Sequence, residues 1–321
     1  MTAYAHALSV VVPVYNSAGL LDALVERVEE TLAGEDFELL FVNDGSADGS
    51  WRRIEELART HERVRGIDLM RNYGQHNALL AGIRAARGAT VVTIDDDLQN
   101  PPEEIPRLLA ELAKGADIVY GTSTGEHYGF WRGLATGLTK LALRGAVGNE
   151  VAAKVGPFRA FRTELRAAFA DYSGPQVNID VLLNWGARRY GWIEVAFDRR
   201  AEGHSSYTFG RLATHALNIL TGFSTRPLRL ASLIGLTFTF FGLVVLAIVL
   251  GSYAIRGTPV PGFPFLASLI AIFSGAQLLT LGIIGEYLAR MHMRVMDRPP
   301  YSVRDDTAGV REDAEAPSGA R

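Results

Sequence analysis

The stretch VVTIDDDLQNPP at residues 91–102 decides the fold of this chain. Its apolar first half is typical of a buried strand, and three carboxylates follow where that strand ends. Open α/β sheets bind ligands at the carboxyl ends of their strands, where Asp95 and Asp97 can hold a hard cation against a diphosphate. The stretch therefore predicts an α/β sheet whose edge suits sugar-nucleotide chemistry.

The first 200 residues repeat this strand pattern, with helical patterns between the strands. Apolar runs predict strands at Leu8–Val14, Phe37–Val42, Val64–Leu69 and Thr90–Ile94. Amphipathic patterns predict helices at about Leu20–Leu32, Trp51–Thr60 and Asn77–Ala86. Strands that alternate with helices favour βαβ units and a mostly parallel, Rossmann-like sheet.

Composition excludes several classes of function. The net charge of −3 gives no reason to expect a nucleic-acid partner. The chain has no cysteine, which excludes disulfides, thiolate metal sites and cysteine nucleophiles. At 321 residues and 48% hydrophobic content, we expect one large domain and an apolar appendage.

Two long runs near the C-terminus carry no charge. One covers 26 residues between Arg229 and Arg256, and the other covers 29 residues between Arg256 and Glu286. Each exceeds the roughly 20 residues that span a bilayer as a helix. Prolines at the start of the second run place its helix from about Pro264 onward. We therefore expect transmembrane helices at about 230–255 and 264–288; the alternative is a pair of buried core helices.

Basic residues predict the orientation of this hairpin. Arg226 and Arg229 precede the first run, Arg290 and Arg294 follow the second, and the connecting loop carries Arg256 alone. By the positive-inside rule both termini are cytoplasmic, and the N-terminus shows no signal-peptide pattern. We expect a multi-pass protein of the plasma (inner) membrane with a cytoplasmic catalytic domain.

These patterns divide the chain into four parts. They are a catalytic domain at 1–200, a juxtamembrane amphipathic segment at 201–228, two transmembrane helices within 229–290, and a cytoplasmic tail at 291–321. The polar composition after Tyr301 predicts a disordered end.

Four motifs in a fixed order carry a family resemblance: VPVYN at 12–16, VNDGS at 42–46, RNYGQH at 71–76 and DDDLQNPP at 95–102. This set resembles the family-2 glycosyltransferases with a GT-A fold. It is most similar to the branch that makes polyprenyl-phosphate sugars, which includes dolichol-phosphate mannose synthases and undecaprenyl-phosphate glucosyl and formamido-arabinose transferases. The hairpin and the RPPY sequence at 298–301 extend the resemblance over nearly the whole chain.

The resemblance implies a donor site for a nucleotide-diphosphate sugar. Asp95, Asp97 and Gln99 would bind Mg²⁺ or Mn²⁺, and Asp44 would accept a hydrogen bond from the base. The remaining expected donor contacts are Pro13, Tyr15, Asn16, Arg71 and Asp96, the last either structural or in contact with the ribose. From the residues alone, alternatives stay open: an acidic helix start at 95–97, an ordinary turn at Asp44 and a surface charge at Arg71.

The acceptor side is expected in the third quarter of the chain. Apolar residues at helical spacing around Arg132 predict an interfacial helix, or alternatively a helix packed on the sheet. Arg132 is the candidate to meet a lipid phosphate. The loop at 199–207 resembles a family loop that closes over phosphates, and its Arg200 and Ser205 match that loop.

The resemblance implies inverting sugar transfer to a polyprenyl phosphate, with Asp97, Arg132 and Arg200 as catalytic residues. It also implies contact with membrane lipid and a homo-oligomer, in which residues 299–301 reach a neighbouring copy. Ser17, Ala153 and Ser206 depart from the family pattern. These departures motivate the alternatives of a different acceptor or of a non-catalytic membrane adaptor.

Overall fold

The computed structural model describes residues 4–123, 154–174, 177–195, 226–256, 263–296 and 298–308. Eight strands form one sheet in the order β7-β5-β6-β4-β1-β2-β3-β8. The strands are β1 His6–Val14, β2 Phe37–Asn43, β3 Val64–Leu69, β4 Gly88–Thr93, β5 Ile118–Ser123, β6 Arg159–Arg162, β7 Tyr190–Val195 and β8 Val303–Asp306.

Helices connect and cover these strands. The α-helices are α1 Leu21–Thr31, α2 Ser50–Thr60, α3 Gln75–Ala85, α4 Ile105–Ala113, α5 Ile179–Asn184, α6 Arg226–Arg256 and α7 Phe263–Val295. Short 3-10 helices lie at Ala18–Leu20, Pro102–Glu104 and Thr163–Phe169.

Strands β3, β2, β1 and β4 pair in parallel, which confirms the predicted mostly parallel sheet. Helices α1, α2 and α4 bury their apolar faces on one side of the sheet, while α3 and α5 cover the other. Burial on both sides explains why β2 is buried along its whole length and reads as a nearly continuous apolar run. The close packing of α3 requires Gly82, since a Cβ there would lie 2.4 Å from a methyl of Val11.

The strand order places a topological switch point at the centre of the sheet. From β1 the chain steps to β2 and β3 on one side and returns to β4 on the other. The carboxyl ends of β1, β2 and β4 therefore meet around one crevice, where open α/β sheets bind ligands.

Helices α6 and α7 account for the two charge-free runs. Their most apolar parts, Ala231–Ser252 and Ile272–Ala289, are long enough to cross a membrane and are not buried within the described structure. The helices contact each other, with the rings of Phe238 and Phe273 at 5.8 Å. Exposure of so many large apolar side chains argues against the alternative of buried core helices and indicates an apolar environment around the pair.

The tail departs from its prediction. Residues 303–306 form β8, which pairs antiparallel with β3, so the prediction of disorder after Tyr301 is wrong for residues 302–308. Tyr301 packs on the core of its own chain, beneath the guanidinium of Arg84. The polar composition predicted disorder, but a strand that pairs with the edge of a sheet forms backbone hydrogen bonds without needing apolar side chains.

Candidate active site

A cavity of about 270 Å³ lies at the switch point, outside the carboxyl ends of β1, β2 and β4. Ten residues from four separate loops line it: Pro13, Val14, Tyr15, Asp44, Asn72, Gly74, Gln75, Asp95, Asp96 and Asp97. The parallel register brings these loops to one edge, since Val14 pairs with Asn43 and Val11 pairs with Thr93.

Asp44 joins the loop after β2 to the loop after β3. Only 3% of Asp44 is exposed, and its two carboxylate oxygens accept hydrogen bonds from the N–H groups of Tyr73 (2.7 Å) and Gly74 (2.8 Å). The backbones come this close because residue 45 is glycine with φ +67°: a Cβ there would lie 2.5 Å from the Arg71 carbonyl carbon. Asp44 therefore shapes the cavity wall in addition to facing the cavity.

Asn16 joins the loops after β1 and β2. Its N–H donates to Ser46 Oγ (3.0 Å), and its Oδ1 accepts from the N–H of Ala47 (2.9 Å). The backbone of Asn16 has φ 54°, a left-handed conformation that asparagine tolerates better than most residues. These bonds hold the first two loops together beside the cavity.

Each of the three acidic residues after β4 is held by a different partner. Gln75 Nε2 donates to Asp95 Oδ1 at 2.6 Å, and the N–H of Gln99 donates to Asp97 Oδ1 at 3.1 Å. Asp96 accepts from the N–H of Tyr15 at 3.0 Å and from Ser17 Oγ at 2.5 Å. The carboxylates are thus oriented before any ligand binds.

The cluster of negative charge is electrostatically costly. Burial, together with the charges of Asp97 and Asp96, raises the pKa of Asp95 to about 7, although Arg159 partly opposes the rise. Burial also raises the pKa of Asp96, against the hydrogen bond from Ser17. Asp95 and Asp96 form no ion pair with a described residue, and a bound cation would relieve the repulsion between their charges.

The donor set fits Mg²⁺ or Mn²⁺, because carboxylate oxygens suit these hard ions. Among the described residues, no group of three or more His, Cys, Asp or Glu side chains could hold a metal on its own. Mg²⁺ is commonly held by one or two carboxylates and completed by substrate phosphates. Asp95 and Asp97 would hold such an ion only in part and leave positions for a diphosphate.

Comparison with known proteins agrees with this reading. The model of glycosyl transferase family 2 matches residues 9–169, which include all four loops of the cavity. This chain belongs to glycosyl transferase family 2. A relative from Proteus mirabilis, named undecaprenyl-phosphate 4-deoxy-4-formamido-L-arabinose transferase, is 35% identical and the match covers 95% of each chain. A relative of the same name from Pseudomonas aeruginosa is 38% identical, over 92% of this chain and 89% of its own.

Similarity to a solved structure confirms the expected GT-A fold. The glucosyl-3-phosphoglycerate synthase of Mycobacterium tuberculosis, solved with Mn²⁺, uridine diphosphate and glucosyl-3-phosphoglycerate, superposes with a TM-score of 0.52. The two are 19% identical, and the match covers 68% of this chain and 78% of the other. At this identity the likeness establishes the fold alone.

The structure brings most of the predicted donor residues of this family-2 enzyme together. Six of them line the cavity: Pro13, Tyr15, Asp44, Asp95, Asp96 and Asp97. Asn16, Arg71 and Gln99 lie next to it, with the Arg71 guanidinium over the Tyr73 ring. Arg132, Arg200 and Ser205 lie outside the described residues, as do Ala153 and Ser206.

Three further side chains belong to the site although their sequence context did not identify them as binding residues. Gln75 and Ser17 hold Asp95 and Asp96, as described above. Arg159, which is buried on β6 and paired with Asp180, places a positive charge near Asp95. Polar residues at the carboxyl edge were a signal for Gln75 and Ser17, but only the antiparallel pairing of β6 with β4 brings Arg159 near.

Proposed function

We propose that this enzyme transfers a sugar, with inversion, from a nucleoside-diphosphate sugar to undecaprenyl phosphate. A single observation carries the proposal: one chain joins a family-2 donor site to two long apolar helices, and relatives named for undecaprenyl phosphate match it across both. The product would be a lipid-linked sugar for modification of cell-envelope glycans.

The donor would lie along the carboxyl edge of the sheet. Its base would occupy the side of the cavity formed by Pro13, Tyr15 and Asp44, and its diphosphate would face Asp95 and Asp97. When bound, Mg²⁺ or Mn²⁺ would supply positive charge to the leaving nucleoside diphosphate. Gln75 and Gln99 would keep the two carboxylates oriented for that ion.

The acceptor would need positioning more than deprotonation. A phosphate monoester has a second pKa near 6, so its oxygen is already anionic at neutral pH. Effective molarity from correct placement can therefore replace a strong general base. Arg132, Arg200 and Ser205 are proposed to hold this phosphate, with Arg132 and Arg200 acting as catalytic cations.

We further propose that α6 and α7 cross the inner membrane with both termini in the cytoplasm, where nucleotide sugars are made. The surplus of arginines outside the connecting loop supports this orientation. Self-association through these helices, and contact with membrane lipid around them, remain part of the proposal.

The test is transfer from radiolabelled nucleotide sugars to undecaprenyl phosphate by the full chain in detergent. Uracil, guanine and thymine nucleotides, including a formamido-arabinose donor, would be offered with Mn²⁺ or with EDTA. We expect labelled lipid with Mn²⁺ only, and the active donor identifies the sugar and the base. Folded protein that labels no lipid with any donor would contradict the acceptor assignment.

The same assay separates the adaptor alternative from a different acceptor. Binding of a nucleotide sugar in the presence of Mn²⁺, measured by calorimetry without any lipid, indicates an intact donor site. Donor binding without lipid labelling would indicate a different acceptor, whereas absence of both would favour an adaptor with a degenerate domain.

A further inference from the structure

Strand β8 brings the C-terminal segment, which follows both apolar helices in the sequence, back to the donor domain. It pairs antiparallel with β3 at the edge of the sheet, from Ile67 opposite Asp306 to Leu69 opposite Val303. The pairing is irregular between Asp68 and Leu69, the last two residues of β3. Strand β8 therefore meets β3 at the point where the chain turns into the cavity loop at 71–74.

The C-terminal segment holds both backbone groups of Met70, the residue before that loop. The N–H of Met70 donates to the carbonyl oxygen of Ser302 (2.9 Å), and the carbonyl oxygen of Met70 accepts from Arg304 (2.7 Å). Hydrogen bonds from Ser302 also lower the pKa of the Tyr73 hydroxyl. The loop that supplies Asn72 and Gly74 to the cavity is thus held by a segment that follows both apolar helices in the sequence.

A second line of contacts runs from Arg304 to the loop after β2. Arg304 also donates to Asp68 Oδ2 (3.3 Å), and Asp68 Oδ1 accepts from Asn43 Nδ2 (2.6 Å). Asp68 is 1% exposed and Asn43 is 2% exposed, so this pair lies inside the domain. Asn43 Oδ1 in turn accepts from the N–H of Ser46 (3.4 Å), whose hydroxyl binds the N–H of Asn16.

We propose that Arg304 is a positioning residue for the donor cavity. It binds no donor atom itself, but it fixes the loop at 71–74 through Met70 and the loop after β2 through Asp68 and Asn43. The inference rests on the proposed donor site. It implies that a segment beyond both apolar helices sets the donor affinity of the cytoplasmic domain.

The other end of β8 supplies a matched control. Asp306 forms an ion pair with Arg65 (3.1 Å) at the side of β3 that lies away from the cavity. Asp306→Asn weakens an ion pair on the same strand but leaves the contacts of Arg304 with Asp68 and Met70 in place. A general loosening of β8 would affect both variants, whereas a positioning role concerns Arg304 alone.

The test compares nucleoside-diphosphate affinity among full-length variants in detergent. Calorimetry with UDP, GDP and dTDP, each with Mn²⁺, first identifies the diphosphate that binds the wild type most tightly. We expect Arg304→Gln to weaken its binding by about fivefold, and Asp306→Asn to stay within about twofold of the wild type. Arg304→Lys keeps a positive charge beside Asp68, and we expect it to recover most of the lost affinity.

Each outcome bears on one claim. Equal affinities for Arg304→Gln and Asp306→Asn, at similar melting temperatures, would overturn the positioning role while the donor site stands. Should Arg304→Gln fail to fold, Arg304→Met takes its place, because methionine keeps the length of the side chain without its hydrogen-bond donors. Equal affinities for Arg304→Met and Asp306→Asn would then overturn the positioning role. Absence of binding by the wild type would remove the donor site, and this inference with it.

Discussion

At its amino end the sheet holds the carboxylates Glu38 and Asp117, whereas at its carboxyl end it holds Asp95, Asp96 and Asp97. Glu38 accepts from Ser9 Oγ (2.5 Å) and from the N–H of Arg87 (2.6 Å), and the guanidinium of Arg65 lies 3.6 Å away. Asp117 is paired with Arg189 at 2.8 Å. The fold itself compensates the negative charge at the amino end.

At the carboxyl end, neutral donors orient Asp95 and Asp96, and neither forms an ion pair with a described residue. Burial, together with repulsion by the charges of Asp97 and Asp96, raises the pKa of Asp95 to about 7. The difference teaches how to separate structural from functional carboxylates in one sheet. We expect a structural carboxylate to have its counter-charge within the protein, and the carboxylates of the proposed donor site to be completed by a ligand.

The largest expected effect is on activity at the carboxyl end. Asp97→Asn keeps an oxygen for the N–H of Gln99 but removes a charge from the cluster. We expect kcat/KM for sugar transfer to fall at least about 100-fold, because the leaving diphosphate loses its compensating ion. The melting temperature without metal should not fall, since repulsion with Asp95 is relieved. Nearly full transfer activity in Asp97→Asn would contradict the proposed role of this carboxylate.

The next effect is on stability at the amino end. Glu38→Ala leaves the hydroxyl of Ser9 and the N–H of Arg87 without their buried acceptor, which we expect to cost about 2 kcal/mol. Thermal unfolding should therefore shift down by about 5 °C for a domain of this size. Activity per folded molecule should match the wild type, and a selective loss of donor binding would contradict the structural role of Glu38.

A smaller, pH-dependent effect is expected at Asp117. Burial acts to raise its pKa, but hydrogen bonds from Arg189 and from the N–H of Arg188 outweigh burial and lower the pKa of Asp117 to about 2. Since this lies below the unfolded value of about 3.9, the stabilisation is present above pH 4 and is lost as the pH falls towards 2.

The measurement is the difference in melting temperature between wild type and Asp117→Asn. At pH 7 we expect a difference that corresponds to about 1 kcal/mol, and we expect it to shrink between pH 4 and pH 2. A difference that stays constant over this range would show that the charge of Asp117 is not what stabilises the turn before β7.

The smallest effect sharpens the comparison within the carboxyl end. Ser17→Ala removes the hydroxyl that donates to Asp96. Asp96 keeps a second hydrogen bond, from the N–H of Tyr15. We expect the KM for the nucleotide sugar to rise about threefold, with kcat nearly unchanged. A large fall in kcat would instead place Asp96 among the reacting groups.

Most of the central sheet was predictable from local pattern. The apolar runs and helical periods placed β1 to β4 and α1 to α3 within two residues of their observed ends, because both faces of this sheet are buried. The carboxyl-edge rule then placed Asp44 and Asp95 in one cavity. Neither step needed contacts between distant parts of the chain.

Long-range pairing lay beyond that reasoning. Strand β8 has a charged sequence, VRDD, and forms only because β3 offers an open edge. Arg159 reaches the neighbourhood of Asp95 because β6 enters the sheet antiparallel to β4. Composition and periodicity carry no information on which edge a short strand will join.

The sequence by itself determined the fold class, the acidic cluster after β4 and the two apolar helices, since each follows from a local pattern of apolar and charged residues. Only the tertiary structure decided which partner holds each carboxylate, and that β8 fastens the donor loops. The physical reason is that hydrogen bonds such as Gln75 to Asp95 and Arg304 to Asp68 join residues far apart in the chain. Their geometry exists only once the strands are paired.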